Sequence, residues 1–382
     1  MNARAAELRA KGIDVYAFGV GEPDFEPPAF VIEAARKALD GGVSKYTAVT
    51  GIPALKQAVC ARSAAMRGFS PTPAQVTVTC GAKHALFNLA LALYEPGDEV
   101  VIPAPYWVSY PEQVKMCGAT PIAVPTTEEA GFKMTPEAFA KALSPKTKAV
   151  ILCTPSNPTG SAYAEAELRA LLEVWKKSDA WLIVDEIYAD LVYDGFAHVS
   201  AAKIASDALD RIVIVDGVSK SYAMTGWRIG WSIAPAPLAK ALDTVQGQST
   251  TNATAIAQHA AVAALTGPQD EVAKMRAMFE KRRGVMVEGL RSIPGVRCRM
   301  PEGAFYAFAD CRSLYGIEYK GKPIANDEDV AFFLLEHAHV AAVPGGAFGA
   351  PGYVRFSYAT SEERIRGGID AIRRAVESAK RL

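Results

Sequence analysis

Two patterns of hydrophobic positions alternate along the chain. Short runs of consecutive apolar, often β-branched residues occupy 76–79, 99–102, 149–153, 181–184, 211–215 and 230–233. Between them, stretches such as 83–93 and 165–177 carry apolar residues at helical spacing. Strands that are apolar throughout need cover on both faces, and helical crossovers supply it, so the pattern predicts a mostly parallel sheet between helices. From about residue 270 the character changes. A charged helical stretch, EVAKMRAMFEKRRGVMVEGLRSI, leads to Pro294 and Gly295, then to strand-like AFYAFAD, a helix near 327–337, YVRFSYAT and a last helix. This predicts a smaller α+β domain, joined through a long helix near 270–290, with the Pro- and Gly-rich segment GVGEPDFEPP packed on it. The expected fold class is therefore α/β, with a large domain over 29–275 and a small one built from 1–28 and 276–382. There is no internal repeat and no low-complexity tract.

Composition narrows the function. At 382 residues, half of them hydrophobic, the chain has material for two cores. Lys plus Arg and Asp plus Glu number 41 each, a balance that argues against a nucleic-acid footprint, which needs a basic excess. No apolar stretch approaches membrane-spanning length. The N-terminal MNARAAELRAKG is charged and lacks the hydrophobic run of a signal peptide. The six cysteines, at 60, 80, 117, 153, 298 and 311, form no C-x-x-C pair. Free thiols in a reducing cytoplasm are the expectation, and no metal is implied.

In open α/β sheets the ligand site lies beyond the carboxyl ends of the strands, so the residues delivered there are the candidates. The run ending at Cys153 leads into TPSNPTG and presents Asn157. The run ending at Val184 leads into Asp185, Glu186 and Tyr188. The run Ile212 to Val215 ends in Asp216 and Gly217, and then Ser219 and Lys220 follow, with Arg228 eight residues on. The run 76–79 leads into CGAKHAL, where Gly81 opens a helix with free N–H groups, and the run 99–102 leads to Tyr106 and Trp107. Each taken singly has a plainer reading: a helix cap for Asp185, turns at Gly81 and Asn157-Pro158, core packing for Trp107, exposed cations for Lys220 and Arg228. At successive strand ends those plain readings would all have to hold together.

The set answers one chemical problem. Pyridoxal phosphate needs a lysine for its aldehyde and an anion site for its phosphate; its ring nitrogen needs a carboxylate, its phenolate oxygen needs donors, and its face needs an aromatic. A lysine at a desolvated strand end makes sense if its amine is used covalently, with nearby cations lowering its pKa, and Arg228 can clamp a phosphate with two donors.

The motifs GEPDF, YWVSYPE, SNPTG, VDEIY, SKSYAMTGWRIG and VRFSYATSEE, in this order over nearly the whole chain, resemble the class I, fold-type I aminotransferases. The likeness is greatest to the bacterial aspartate aminotransferase subgroup that also holds prephenate aminotransferases. The resemblance implies pyridoxal 5′-phosphate as cofactor and ping-pong exchange of an amino group between an amino acid and a 2-oxo acid. Position by position, Lys220 resembles the lysine that joins the cofactor and later carries the proton, and Asp185 the partner of the ring nitrogen. Tyr188 and Asn157 resemble the donors to the phenolate oxygen; Gly81, Ala82, Lys83, Ser219 and Arg228 resemble the phosphate site; Trp107 resembles the stacked aromatic. Tyr46 matches a tyrosine that reaches the neighbouring subunit's phosphate, which implies a homodimer with shared sites. Arg355 resembles the clamp on the substrate α-carboxylate, helped by Asn157 and the backbone near Gly21. Lys83 stands where this subgroup places a lysine for the distal carboxylate of aspartate or glutamate. Family members usually begin with a further segment, ahead of the part that NARAAELRAKG resembles, which helps cover the site. Prephenate transamination and the same-fold lyases and synthases share these motifs and stay open as alternatives. An amino-acid sensor lacks support, since no helix-turn-helix or basic extension is evident. A nucleotide-binding protein is weaker still, because G-x-G-x-x-G after a strand and G-x-x-x-x-G-K-[ST] are both missing.

Overall fold

The computed structural model describes residues 2–382; Met1, at the head of the segment expected in the small domain, lies outside the described residues. A seven-stranded sheet occupies the centre, built from β1 (Val76–Thr79), β2 (Glu99–Ala104), β3 (Thr120–Pro125), β4 (Thr147–Cys153), β5 (Trp181–Asp185), β6 (Ile212–Gly217) and β7 (Gly230–Ile233). The spatial order is β1-β7-β6-β5-β4-β2-β3. Only β7 runs against its neighbours, so the sheet is mostly parallel, as the apolar runs predict. Strand β3 was not expected. Its sequence TPIAVP carries two prolines, which argue against a central strand but are tolerated at an edge, and β3 is the edge beyond β2.

Side-chain alternation fills both faces. Val150, Leu152, Leu182, Val184, Ile212 and Ile214 pack with Leu55, Leu168, Leu172 and Trp175 on one side. Ala149, Ile151, Ile183, Val213 and Val215 pack with Leu86, Leu89, Val114 and Leu242 on the other. Each large apolar side chain so buried contributes about 1.5–3 kcal/mol. The register is what matters for function: Cys153 lies beside Asp185, and Asp185 beside Val215, so β4 and β5 stop at one level and β6 runs only two residues further, to Gly217.

Beyond the sheet, α1 (Ala82–Leu93) follows β1, and the long α2 (Asp270–Arg291) leads to a second sheet. That sheet comprises β8 (Arg297–Cys298), β9 (Tyr306–Asp310), β10 (Val343–Pro344) and β11 (Tyr353–Ser357), in the order β10-β11-β9-β8. Its core joins Phe279, Met286 and Leu290 of α2 to Phe305, Phe356 and Ile365, and Phe18 from the N-terminal segment enters it. The segment is tied down there. Tyr16–Ala17 pairs with Val340–Ala341, Ser357 N–H donates to Phe18 C=O at 2.7 Å, and Arg282 pairs with Asp24 at 2.7 Å. Among the described residues no helix is long and apolar enough to cross a membrane.

Candidate active site

These strand ends, the start of α1 and the N-terminal segment enclose a cleft of about 310 Å³. Gly21, Ala82, Lys83, Trp107, Asn157, Asp185, Tyr188, Ser219, Lys220, Arg228 and Arg355 all line it, eleven of the thirteen residues expected at the site. Gly81 does not line it but lies against the Arg228 guanidinium. Tyr46 is elsewhere: it is 88% exposed and not part of its own chain's cleft. Five residues escaped the sequence reading, namely Tyr110, Cys153, Ile187, Thr225 and Tyr306. A signal existed for Tyr110, which follows Trp107 by only three positions; its N–H donates to Trp107 C=O at 3.0 Å in the turn that leads into the helix Ser109–Met116. The two rings meet edge to face at 5.4 Å.

Asp185 terminates β5 and is almost wholly buried. Its two oxygens are aimed by neighbours: Oδ2 accepts from the Tyr110 hydroxyl at 2.8 Å and Oδ1 from Ile187 N–H at 3.2 Å. Burial pushes its pKa up to about 6, against the opposing hydrogen bonds and the nearby Lys220. One turn later Tyr188 shares a hydrogen bond of 2.9 Å with Tyr306, both rings buried. Lys220 follows β6 and donates to Gly21 C=O at 2.6 Å. Its pKa is pushed down to about 8. Burial is the largest cause, and the Arg228 and Arg355 charges act in the same direction, so the expectation that neighbouring cations do this gives only the smaller part.

The anion end is built by close approach. Gly81 has φ +84°, and a Cβ there would stand 2.4 Å from Arg228 Nη2. A Cβ on Gly230, at the start of β7, would stand 2.3 Å from the Ala82 nitrogen. Only glycine at both positions lets the first turn of α1, with its unpartnered N–H groups, sit against the sheet beside the guanidinium. Arg228 is held by donating to Thr225 C=O at 2.6 Å and Cys80 C=O at 3.3 Å.

Opposite lies Arg355 on β11, 7% exposed. It donates to Asn157 Oδ1 at 2.8 Å and to Gly19 C=O at 2.9 Å, and its guanidinium stacks 4.4 Å from the centre of the Tyr306 ring. Its Nε is buried without a partner. Lys83 Nζ stands 4.9 Å from the Trp107 ring centre. The lining thus holds Lys83, Lys220, Arg228 and Arg355 against the single carboxylate of Asp185.

These residues fit pyridoxal phosphate. The glycine cradle beside Arg228 suits a phosphate dianion. Asp185, Tyr188 and Lys220 offer a carboxylate, a phenol and an amine of lowered pKa, and a donor of Arg355 remains unused for a carboxylate. Among the described residues no group of three or more His, Cys, Asp and Glu side chains is arranged to hold a metal ion.

A family model for "Aminotransferase class I and II" matches residues 13–372. The chain is 47% identical to an aspartate/prephenate aminotransferase of Cereibacter sphaeroides, over 95% of this chain and 91% of that one. It is 46% identical to an aspartate aminotransferase of Geobacillus stearothermophilus, over 98% and 94%. Its structure superimposes on the crystal structure of the aspartate aminotransferase from Rhizobium meliloti with a TM-score of 0.96 at 43% identity, covering 99% of this chain and 95% of the other.

Proposed function

Because the chain belongs to the aminotransferase class I and II family, we propose that it moves an amino group between aspartate or glutamate and a 2-oxo acid, in a ping-pong cycle that uses pyridoxal 5′-phosphate. The observation that carries this reading is the placement of Lys220 and Asp185 after neighbouring strand ends, facing a partly unpaired Arg355 across one cleft. When bound, the cofactor supplies an aldehyde for amine exchange and a ring that draws electrons from the substrate Cα. Gly81, Ala82, Ser219 and Arg228 hold its phosphate, Trp107 covers the ring, and Asn157 and Tyr188 donate to the phenolate oxygen. Asp185, ionised, keeps the ring nitrogen protonated. Arg355 grips the α-carboxylate and turns the Cα–H bond towards Lys220. Neutral Lys220 takes that proton at Nζ, holds it, and returns it. The buried walls of Tyr188, Tyr306 and Ile187 keep water from competing for it.

The names of the relatives and the place of Lys83 support a dicarboxylic substrate. In a panel of donors and acceptors, aspartate with 2-oxoglutarate is expected to turn over, and prephenate is not expected to serve as acceptor. Prephenate turnover would move the assignment to the second activity named for the Cereibacter relative. Release of pyruvate and ammonia without exchange would make the chain a lyase.

The working unit in this reading is a cytoplasmic homodimer, with residues 29–275 forming the cofactor domain and 1–28 with 276–382 the small one. Tyr46, so exposed on its own chain, reaches the phosphate of the neighbouring subunit. Mixing inactive Tyr46→Ala and Lys220→Ala chains then regenerates one intact site in each hybrid, about a quarter of wild-type activity after full exchange. Tagged chains that exchange fully and recover nothing would mean self-contained protomers.

A further inference from the structure

Behind the sheet ends, outside the cleft, lies a cluster of charges that the reaction does not touch. Arg67, at the end of a short helical turn and 6% exposed, faces three carboxylates. Its Nη2 donates to Asp216 at 3.0 Å, its Nη1 donates to Asp190 at 3.2 Å, and its Nε lies 3.3 Å from Glu186. Arg62 adds a second cation, 2.5 Å from Asp190. All five side chains are buried or nearly so. Taking such charges out of water is costly, and apolar packing of the same volume stabilises as well or better. What ionic contacts provide, and apolar ones do not, is direction.

The direction here is specific. Glu186 is the residue after Asp185. Asp216 is the penultimate residue of β6, four positions before Lys220, and Asp190 accepts from the hydroxyl of Ser221, the residue just after Lys220, at 2.7 Å. One guanidinium therefore fastens the strand end that carries Asp185 to both sides of the turn that carries Lys220. We propose that Arg67, acting through Asp190 and Asp216, is a positioning residue that fixes the distance between Asp185 and Lys220. The proposal rests on the roles given to those two residues above. It assigns Arg67 no contact with substrate or cofactor, and Arg67 is not part of the cleft lining.

The test uses Arg67→Met, together with Ser221→Ala, which removes only the hydrogen bond beside Lys220 and leaves the charges paired. Three quantities are measured well below the melting temperature. They are kcat and KM for aspartate in the holoenzyme, and in the cofactor-free dimer the rate at which pyridoxal 5′-phosphate is fixed to Lys220 by borohydride. For Arg67→Met, kcat is expected to fall about a hundredfold, as for a displacement near 1 Å at the reacting groups, while KM, set by Arg355 and Lys83, changes less than twofold. For Ser221→Ala the expected drop in kcat is about fivefold. Fixing at Lys220 slows in the same order for both variants. If both variants lose thermal stability yet match the wild type in kcat and in fixing rate, the cluster is merely structural and the proposal fails. If Arg67→Met does not fold, an unchanged kcat and fixing rate in Ser221→Ala overturns it alone. Failure of the underlying reading looks different: the wild-type chain itself would neither transaminate nor be fixed at Lys220.

Discussion

Lys220→Ala is expected to lower the rate of transamination by about 10⁴-fold or more, the top of the range for losing a positioned general base, because the same nitrogen is also the covalent anchor. No neighbour can take its place. Within the cleft lining the only other amine is Lys83, which stands over the Trp107 ring at the first turn of α1. The variant keeps the glycine cradle, Arg228 and Asp185, so it still binds the cofactor, but borohydride no longer fixes the cofactor to the chain. Retention of even one per cent of wild-type turnover would remove Lys220 from the centre of the reaction. The native nitrogen can also be titrated. With its pKa pushed down to about 8, half of it is neutral near pH 8, whereas an ordinary lysine reaches that point near 10.5. Fixing of pyridoxal 5′-phosphate to the cofactor-free chain therefore rises with pH through a midpoint near 8. A midpoint near 10.5 would mean that the buried environment of Lys220 does not act on its charge.

Arg355→Ala carries the second largest effect, a drop in kcat/KM of about 10³-fold, within the range found when one partner of a buried, hydrogen-bonded charge pair is cut away. The loss has two parts. The α-carboxylate loses a planar two-donor grip, and Asn157 and the Gly19 carbonyl lose the donor that holds them in place. Arg355→Lys separates the two. It restores a charge but not the fork, since an ammonium is a point charge on a flexible stem, so it recovers about tenfold at most. Cofactor binding is expected to persist in both variants, because the phosphate cradle of Gly81, Ala82, Ser219 and Arg228 is left intact. A shift of kcat/KM of only about twofold in Arg355→Ala, with the fold intact, would move the carboxylate grip to another residue.

Why Lys220 and Asp185 were legible and Arg67 was not is a matter of range. An apolar run that stops abruptly in polar residues announces a strand end within a few positions, and the parallel-sheet rule then says where such ends gather. That reasoning found the strands that carry the site, with β2 and β6 each extending two residues past the expected end. It also found the long helix α2 and the strands β9 and β11. Tyr306 was missed because an aromatic in an apolar strand reads as core, and Tyr110 because Trp107, three positions before it, is the evident aromatic of that segment; both are buried, and their hydroxyls, not their rings, make the difference. Arg67 and Asp216 are 149 positions apart, and nothing local in SAAMRG distinguishes a buried cation from a solvated one. Close approaches such as Gly230 on Ala82 likewise exist only once the sheet has formed.

The prolines of β3 have an effect on colloidal behaviour. Thr120 donates to Asp98 C=O and Thr126 to Ala104 C=O, both at 2.9 Å, so the even-numbered amides of this strand point inward to β2. The odd-numbered ones point away, and two of those three positions, 121 and 125, are proline and have no hydrogen to offer. Ala123 is left as the lone outward donor along that margin. A stray β-segment from a partly folded neighbour finds almost no ladder to extend there, and the sheet is protected from growing into an aggregate on that flank.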